Sequence, residues 1–300
     1  MKPFIVVVPI AALLLAGCSS AGAGSSSSTS GKIDVVASTN VWGNIASTVG
    51  GDDVSVTSFI DDPSKDPHEY EASGQNQLAI SKAAVVIENG GGYDDFVDTM
   101  LKSSPSESAT VLNAVKISGL AAPAGGDLNE HVWYDFPTVT KVIDKLRAAF
   151  TKARPADASL FSANAKSLTG KVALLEAREK ALKAQYSGVG VAITEPVPLY
   201  MLDAIGLDNK TPAEFSKAIE DDSDASPAVL QQTLDLYNGH SVKLLAYNEQ
   251  TTGAQTEAVL TAAKNNGIAV VPVTETLPSG KTYLSWMSDN LDAITAALAG

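Results

Sequence analysis

Three histidines occur in 300 residues: His68, His131 and His240. His68 lies in Asp66-Pro67-His68-Glu69-Tyr70, where Pro63 and Pro67 keep the backbone out of helix and sheet. His131 lies in Asn129-Glu130-His131-Val132-Trp133-Tyr134-Asp135, after Gly125-Gly126 and before a stretch of helical periodicity. Both are loop histidines at the ends of elements, where open α/β sheets gather ligands. On spacing alone, a divalent-cation site shared by the two is one option. His240, in Asn238-Gly239-His240-Ser241, reads as an exposed residue of a helix-to-strand turn. Cys18 is the sole cysteine, so the chain can form neither an internal disulfide nor a thiolate metal site. No His-Glu-x-x-His motif and no nucleophile elbow occurs.

The elements that must position these residues alternate along the chain. Short apolar strands are expected at Ile33–Ala37, Val54–Phe59, Ala84–Glu88, Thr110–Leu112, Val189–Thr194, Leu244–Asn248 and Ile268–Val273. Helices are expected near Trp42–Val49, Tyr93–Lys102, Thr138–Phe150, Pro198–Ile205, Pro227–Asn238 and Thr256–Asn266, with a last one from Tyr283 to Leu298. Buried β-rich runs separated by helices point to an α/β fold with mostly parallel sheets flanked by helices. One stretch breaks the rhythm. From Pro155 to Tyr186, Phe161, Ala165, Leu168, Val172, Leu175, Leu182 and Tyr186 recur at helical spacing, interrupted only by Gly170. A helix of that length spans roughly 45 Å. It reads as a rigid strut joining two α/β lobes, with a partner-binding arm as the alternative.

The N-terminus carries a different signal. Lys2 precedes an apolar run, Phe4 to Leu15, of signal-peptide length and too short to cross a bilayer. Leu15-Ala16-Gly17-Cys18 resembles a bacterial lipobox, and Ser19 to Gly31 is a Ser/Gly-rich tether. The expected organisation is a signal peptide at 1–17, a lipidated Cys18 with flexible tether at 18–31, an N-terminal lobe at 32–154, a linking helix at 155–187 and a C-terminal lobe at 188–300. The expected location is extracytoplasmic, with the chain anchored to the cell membrane by lipid on Cys18. A formal net charge of −13 argues against nucleic acid and anionic lipid headgroups as partners.

Over essentially the whole mature stretch the chain resembles the solute-binding proteins of zinc and manganese ABC importers. The resemblance is carried by Ala37-Ser38-Thr39-Asn40-Val41, Asp66-Pro67-His68-Glu69-Tyr70-Glu71, Glu88-Asn89-Gly90-Gly91-Gly92-Tyr93, His131-Val132-Trp133-Tyr134-Asp135 and the long strut. It implies a divalent transition metal, Zn2+ or Mn2+, held between the lobes as transported ligand by four side chains. It implies no organic cofactor, no enzymatic activity, a membrane permease as partner and a monomer. His68 and His131 match the two ligands of the first lobe. Glu195, in Ile193-Thr194-Glu195-Pro196, matches the third position. The fourth is usually Asp, and Thr274-Glu275-Thr276-Leu277 offers Glu275 instead, with Glu249 as a rival on a neighbouring strand end.

Two neutral imidazoles and two carboxylates cancel the charge of a divalent cation, which suits a desolvated cleft. Oxygen-rich donation suits manganese and is acceptable to zinc. Asp66, Asp135 or nearby carbonyls are expected to orient the imidazoles. The competing classes are an adhesin with a structural metal and a secreted metallohydrolase. Four ligands that fill the coordination sphere leave no position for a catalytic water.

Overall fold

The computed structural model describes residues 1, 31–62, 70–103, 109–123 and 126–300. The chain divides into Met1–Gly31 and Lys32–Gly300, and all the elements below belong to the second unit. Cys18 and the signal-peptide and tether expectations lie outside the described residues, as does His68.

The first half runs β1 (Ile33–Thr39), α1 (Asn40–Gly50), β2 (Val54–Ile60), α2 (Gly74–Lys82), β3 (Val85–Glu88), α3 (Asp95–Ser103), β4 (Thr110–Asn113), α4 (Ala114–Ser118) and α5 (Phe136–Ala153). The helix α6 (Ala158–Tyr186) follows. The second half runs β5 (Gly190–Ile193), α7 (Leu199–Ile205), β6 (Asp208–Asn209), α8 (Ala213–Glu220), α9 (Pro227–Asn238), β7 (Leu244–Asn248), α10 (Ala254–Asn265), β8 (Ala269–Val273) and α11 (Tyr283–Ala299). The architecture is thus α/β: two sheets flanked by helices, with one long helix joining them.

Each sheet has four parallel strands, in the orders β2-β1-β3-β4 and β6-β5-β7-β8. The inner strands carry apolar side chains on both faces: all of β3 and all of β7 are buried, as expected where helices cover a parallel sheet on both sides. The matching orders put a switch point between β1 and β3 in one sheet and between β5 and β7 in the other. Crevices at such points, beyond the carboxyl ends of the strands, are where open sheets bind ligands. The turns after these strands hold Asn89, Glu195 and Glu249, and Glu275 follows β8.

One apolar cluster unites the two sheets. It includes Val35 and Val85 from the first, Leu244 and Val271 from the second, and Phe161, Leu168 and Val172 from α6. The helix begins with a 3-10 turn at Pro155–Asp157 and its 29 α-helical residues span about 43 Å. It buries the expected seam from Phe161 to Leu182, with Tyr186 half-buried, and packs against α1, α5, α7 and α11. Smaller clusters cover the outer faces, with Phe215, Ile219 and Tyr237 on the second sheet and Phe59, Ile80 and Met100 on the first.

Among the labelled helices and strands, α2, α4, β6 and α8 were not expected from periodicity. In α2 the pattern Gly-Gln-Asn-Gln-Leu-Ala-Ile-Ser-Lys buries only Ile80, and a capping box between Ser73 and Asn76 starts the helix instead. β6 is two residues long and is set by pairing with β5.

Candidate metal centre

His131 is placed by a chain of contacts that begins at three consecutive glycines. Gly90, Gly91 and Gly92 all have positive φ, and a Cβ on Gly90 would come within 2.2 Å of the Asn113 side chain. This tight turn directs the N–H groups of Asn89 and Gly90 at the buried Asp94 carboxylate, at 2.6 and 2.7 Å. Asn89, held also by the Trp42 indole at 3.2 Å, donates to the carbonyl of Glu130 at 2.9 Å. The backbone on which His131 sits is therefore tied to the end of β3. Asp135 then caps α5 by accepting from the Thr138 N–H at 2.9 Å.

The His131 imidazole is fully buried between Tyr93 and Trp133, with ring centroids 5.9 and 5.1 Å away. Its Nδ1 lies 2.7 Å from Asn129 Oδ1, so the carboxamide oxygen accepts a hydrogen bond from Nδ1–H, and the neutral ring then has its lone pair on Nε2. The orienting group is Asn129, whereas Asp135 serves the helix start. Nε2 makes no hydrogen bond among the described residues. It faces Glu220 Oε1 at 3.6 Å and Glu275 Oε2 at 3.9 Å.

Glu195 and Glu275 are 3% and 1% exposed. Glu195 follows β5, where Thr194 Oγ1 accepts from the Asn248 N–H at 2.9 Å and locks the turn to β7. Its carboxylate is hydrogen bonded by Asn248 and Thr251, while Oε2 has no hydrogen-bond partner among the described residues. Glu275 is gripped more tightly. The Gln250 carboxamide oxygen accepts from the N–H groups of Glu275 and Thr276, at 2.6 and 3.0 Å, and Asn248 Nδ2 donates to Glu275 Oε1 at 2.8 Å. Glu249 is exposed and takes part through its backbone, donating to Val273 O at 3.1 Å.

The sequence reading missed two carboxylates. Glu130, Glu220 and His131 can each offer a ligand atom within 4.8 Å of the others. Glu130 adjoins a recognised histidine, but its bland setting as a loop acid hid it. Glu220 ends α8, a helix that periodicity did not reveal.

The electrostatics of this cluster are those of a site short of positive charge. Burial alone would lower the His131 pKa; the Glu220 and Glu275 carboxylates outweigh it and raise the imidazole to about 9. Burial, reinforced by Glu275, pushes Glu195 up to about 8. Burial pushes Glu220 up to about 9 against the opposing pull of His131. Several carboxylates and an imidazole lone pair converging in a desolvated cleft are suited to a divalent cation, which would hold all of them in their deprotonated forms.

Five hydrogen bonds among the described residues stitch the two halves together around this point. Asn40 Nδ2 donates to Leu277 O and its Oδ1 accepts from Leu277 N, both at 2.9 Å. Tyr134 donates to Thr274 O at 2.9 Å, and Asn129 Nδ2 donates to Pro196 O at 3.0 Å. Tyr200 donates to Asn129 O at 2.7 Å.

The chain is similar to several characterised proteins. It is 26% identical to the manganese-binding lipoprotein MntA of Bacillus subtilis over 308 residues, covering 98% of each chain. It is 23% identical to the manganese ABC transporter substrate-binding lipoprotein scaA of Streptococcus gordonii, covering 99% of this chain and 98% of that protein. Among solved structures, the SBP FpvC of Pseudomonas aeruginosa in complex with Mn2+ superposes with a TM-score of 0.72 at 22% identity, over 88% of this chain and 98% of that one. Zn(II)-bound AdcA of Streptococcus pneumoniae gives 0.70 at 20% identity, over 90% of this chain and 58% of that one. These two likenesses establish the shared fold. The family described as zinc-uptake complex component A, periplasmic, matches residues 35–297. The chain belongs to that family.

Proposed function

We propose that the protein is the extracytoplasmic solute-binding lipoprotein of an ABC importer, and that it captures Mn2+ or Zn2+ between its two halves for delivery to a membrane permease. The observation that carries this reading is the His131 imidazole, buried, with Nε2 directed at Glu220 and Glu275 and without a hydrogen bond among the described residues. In this reading His68, His131, Glu195 and Glu275 supply the ligands. The relatives' names, which specify manganese binding and ABC transport, support it. Cys18 carries the lipid in this proposal, and the Ser/Gly-rich tether raises the effective concentration of the binding halves at a permease. No helix among the described residues is long and apolar enough to cross a membrane.

Ligands drawn from both halves mean that metal holds the halves together. The long α6, packed along much of its length, restricts opening to a small tilt with loop rearrangement. Release then follows when docking on the permease parts the ligand pairs. The protein acts as a carrier and catalyses no reaction.

Titration of the tether-free protein with Mn2+ and Zn2+ tests the proposal. One reversible site per chain is expected, and its affinity should fall by about two to three orders of magnitude in Glu195→Ala with Glu275→Ala, since both are metal ligands. Equal affinity in the double variant would sink it. Irreversible loss of the fold on chelation would favour a structural metal, and metal-dependent hydrolysis by the wild-type protein would favour an enzyme.

A further inference from the structure

The Glu220 side chain breaks a local rule. It is the last residue of α8, where the helix dipole disfavours negative charge, and Asp221 and Asp222 follow it directly. Lys217, one turn earlier, offsets part of this by pairing with Asp221 at 3.2 Å and Asp127 at 2.8 Å. Glu220 instead turns inward. Its side chain is 12% exposed, and Oε1 sits 3.6 Å from the Nε2 of the fully buried His131. Local conflicts of this kind concentrate at functional sites.

The position of Glu220 is built from both sides. Phe215 and Ile219 bury one face of α8 in the core of the second sheet. Beyond the helix the chain reverses through Asp222 at a φ of 49°, with Ser223 N donating to Ala218 O at 2.8 Å. The Gln255 carboxamide then pins Ala225, accepting from its N–H and donating to its carbonyl, each at 3.0 Å. The end of α8 is thereby fixed against α10.

Resting on the function proposed above, we propose that Glu220 is a direct ligand of the transported cation, additional to His68, His131, Glu195 and Glu275, and that it biases the site toward Mn2+ over Zn2+. A third carboxylate raises the number of oxygen donors and allows more than four ligands. Zinc held by protein side chains settles at four-coordinate tetrahedral geometry, whereas manganese favours oxygen-rich, higher coordination. The added donor therefore acts mainly on manganese. It also makes the donor set one charge more negative than a divalent cation requires.

Glu220→Gln removes the charge, and Glu220→Asp keeps the charge but withdraws the carboxylate by one carbon. Competitive titration of both variants with Mn2+ and Zn2+ should show Mn2+ affinity lowered at least about tenfold and Zn2+ affinity lowered no more than about threefold, in the range of changes to a metal's immediate surroundings. With Co2+ as a probe, visible absorption should intensify in both variants as coordination falls toward four. Wild-type Mn2+ affinity and an unchanged Co2+ spectrum in Glu220→Asp would overturn direct ligation. So would an equal loss for Mn2+ and Zn2+ in Glu220→Gln, which is the signature of a charge acting at a distance. Failure of the wild-type protein to bind either metal, or wild-type affinity in His131→Ala, would instead strike the reading of the whole site.

Discussion

Asn129 Oδ1 lies 2.7 Å from His131 Nδ1, and the same carboxamide donates from Nδ2 to the carbonyl of Pro196 at 3.0 Å. One side chain thus fixes the tautomer of a histidine in the first half and grips the residue after Glu195 in the second. A single group thus takes part both in orienting the imidazole and in holding the two loops together.

Removing that group should loosen both. Asn129→Ala is expected to weaken Mn2+ and Zn2+ binding by about 10–100-fold, the range typical for partners of metal-bound histidines. Asn129→Asp keeps an acceptor for Nδ1 and loses only the donor to Pro196, so its loss should be the smaller. Isothermal titration of the two variants beside the wild type checks the order; an alanine variant as tight as the wild type would show that Asn129 positions nothing.

The two glutamates that compete for the fourth position differ in setting. Glu275 is buried, and both its backbone and its carboxylate are held by Gln250 and Asn248; Glu249 is exposed on the neighbouring strand end. With the ligand set proposed above, Glu275→Ala should cost about two to three orders of magnitude in metal affinity, and Glu249→Ala should change it less than about threefold. The reverse result would exchange their roles.

Much of this was legible in the chain because the strands are short, apolar and well separated. The strands β7 at Leu244–Asn248 and β1 from Ile33 follow from runs buried on both faces, and the seam of α6 follows from Phe161 through Leu182. His131, Glu195 and Glu275 come from the resemblance of their motifs, and the place of both glutamates after apolar strands agrees with it. Glu220 could not be found that way. Its helix is eight residues long, and its inward turn depends on the reversal at Asp222 and the Gln255 clamp, contacts that link positions 30 apart in sequence. Asn129 was hidden for a related reason: nothing in Asn129-Glu130-His131 distinguishes a side chain that folds back on the imidazole from one in solvent.

Glu179 makes stability depend on pH. It lies on α6, 5% exposed, with Oε1 lacking a hydrogen-bond partner among the described residues. Burial, with Glu176 and Asp135 adding to it, raises its carboxyl from 4.5 to about 8. The folded chain therefore binds a proton more tightly than the unfolded chain. The stability that this proton confers is full below pH 4.5 and is lost progressively as pH rises to about 8. Glu179→Gln keeps the neutral form at every pH. It should match the wild type near pH 4.5 and exceed it at pH 8 by about 1–3 kcal/mol, allowing for relaxation around the ionised group. Thermal melts of both proteins across this range measure the difference, and parallel curves would show that Glu179 ionises freely in the folded state.

Gly170 has the lowest intrinsic helix propensity of any residue in α6. Its φ is not in the left-handed region, its position is exposed, and a Cβ built on it meets nothing within 4 Å. Glycine inside a helix costs about 0.5–1 kcal/mol relative to alanine, because the unfolded chain has more backbone freedom to lose. The apolar seam runs past it from Leu168 to Val172, so packing against α1, α5 and α11 already holds the helix there. Gly170→Ala should therefore stabilise the protein by about 0.5–1 kcal/mol and raise Tm by roughly 1–4 °C. Metal affinity should stay within about twofold, because distant sites that share no partners act independently. A fall in affinity instead would show that the binding site uses a bend at Gly170, and that α6 is a hinge as well as a strut.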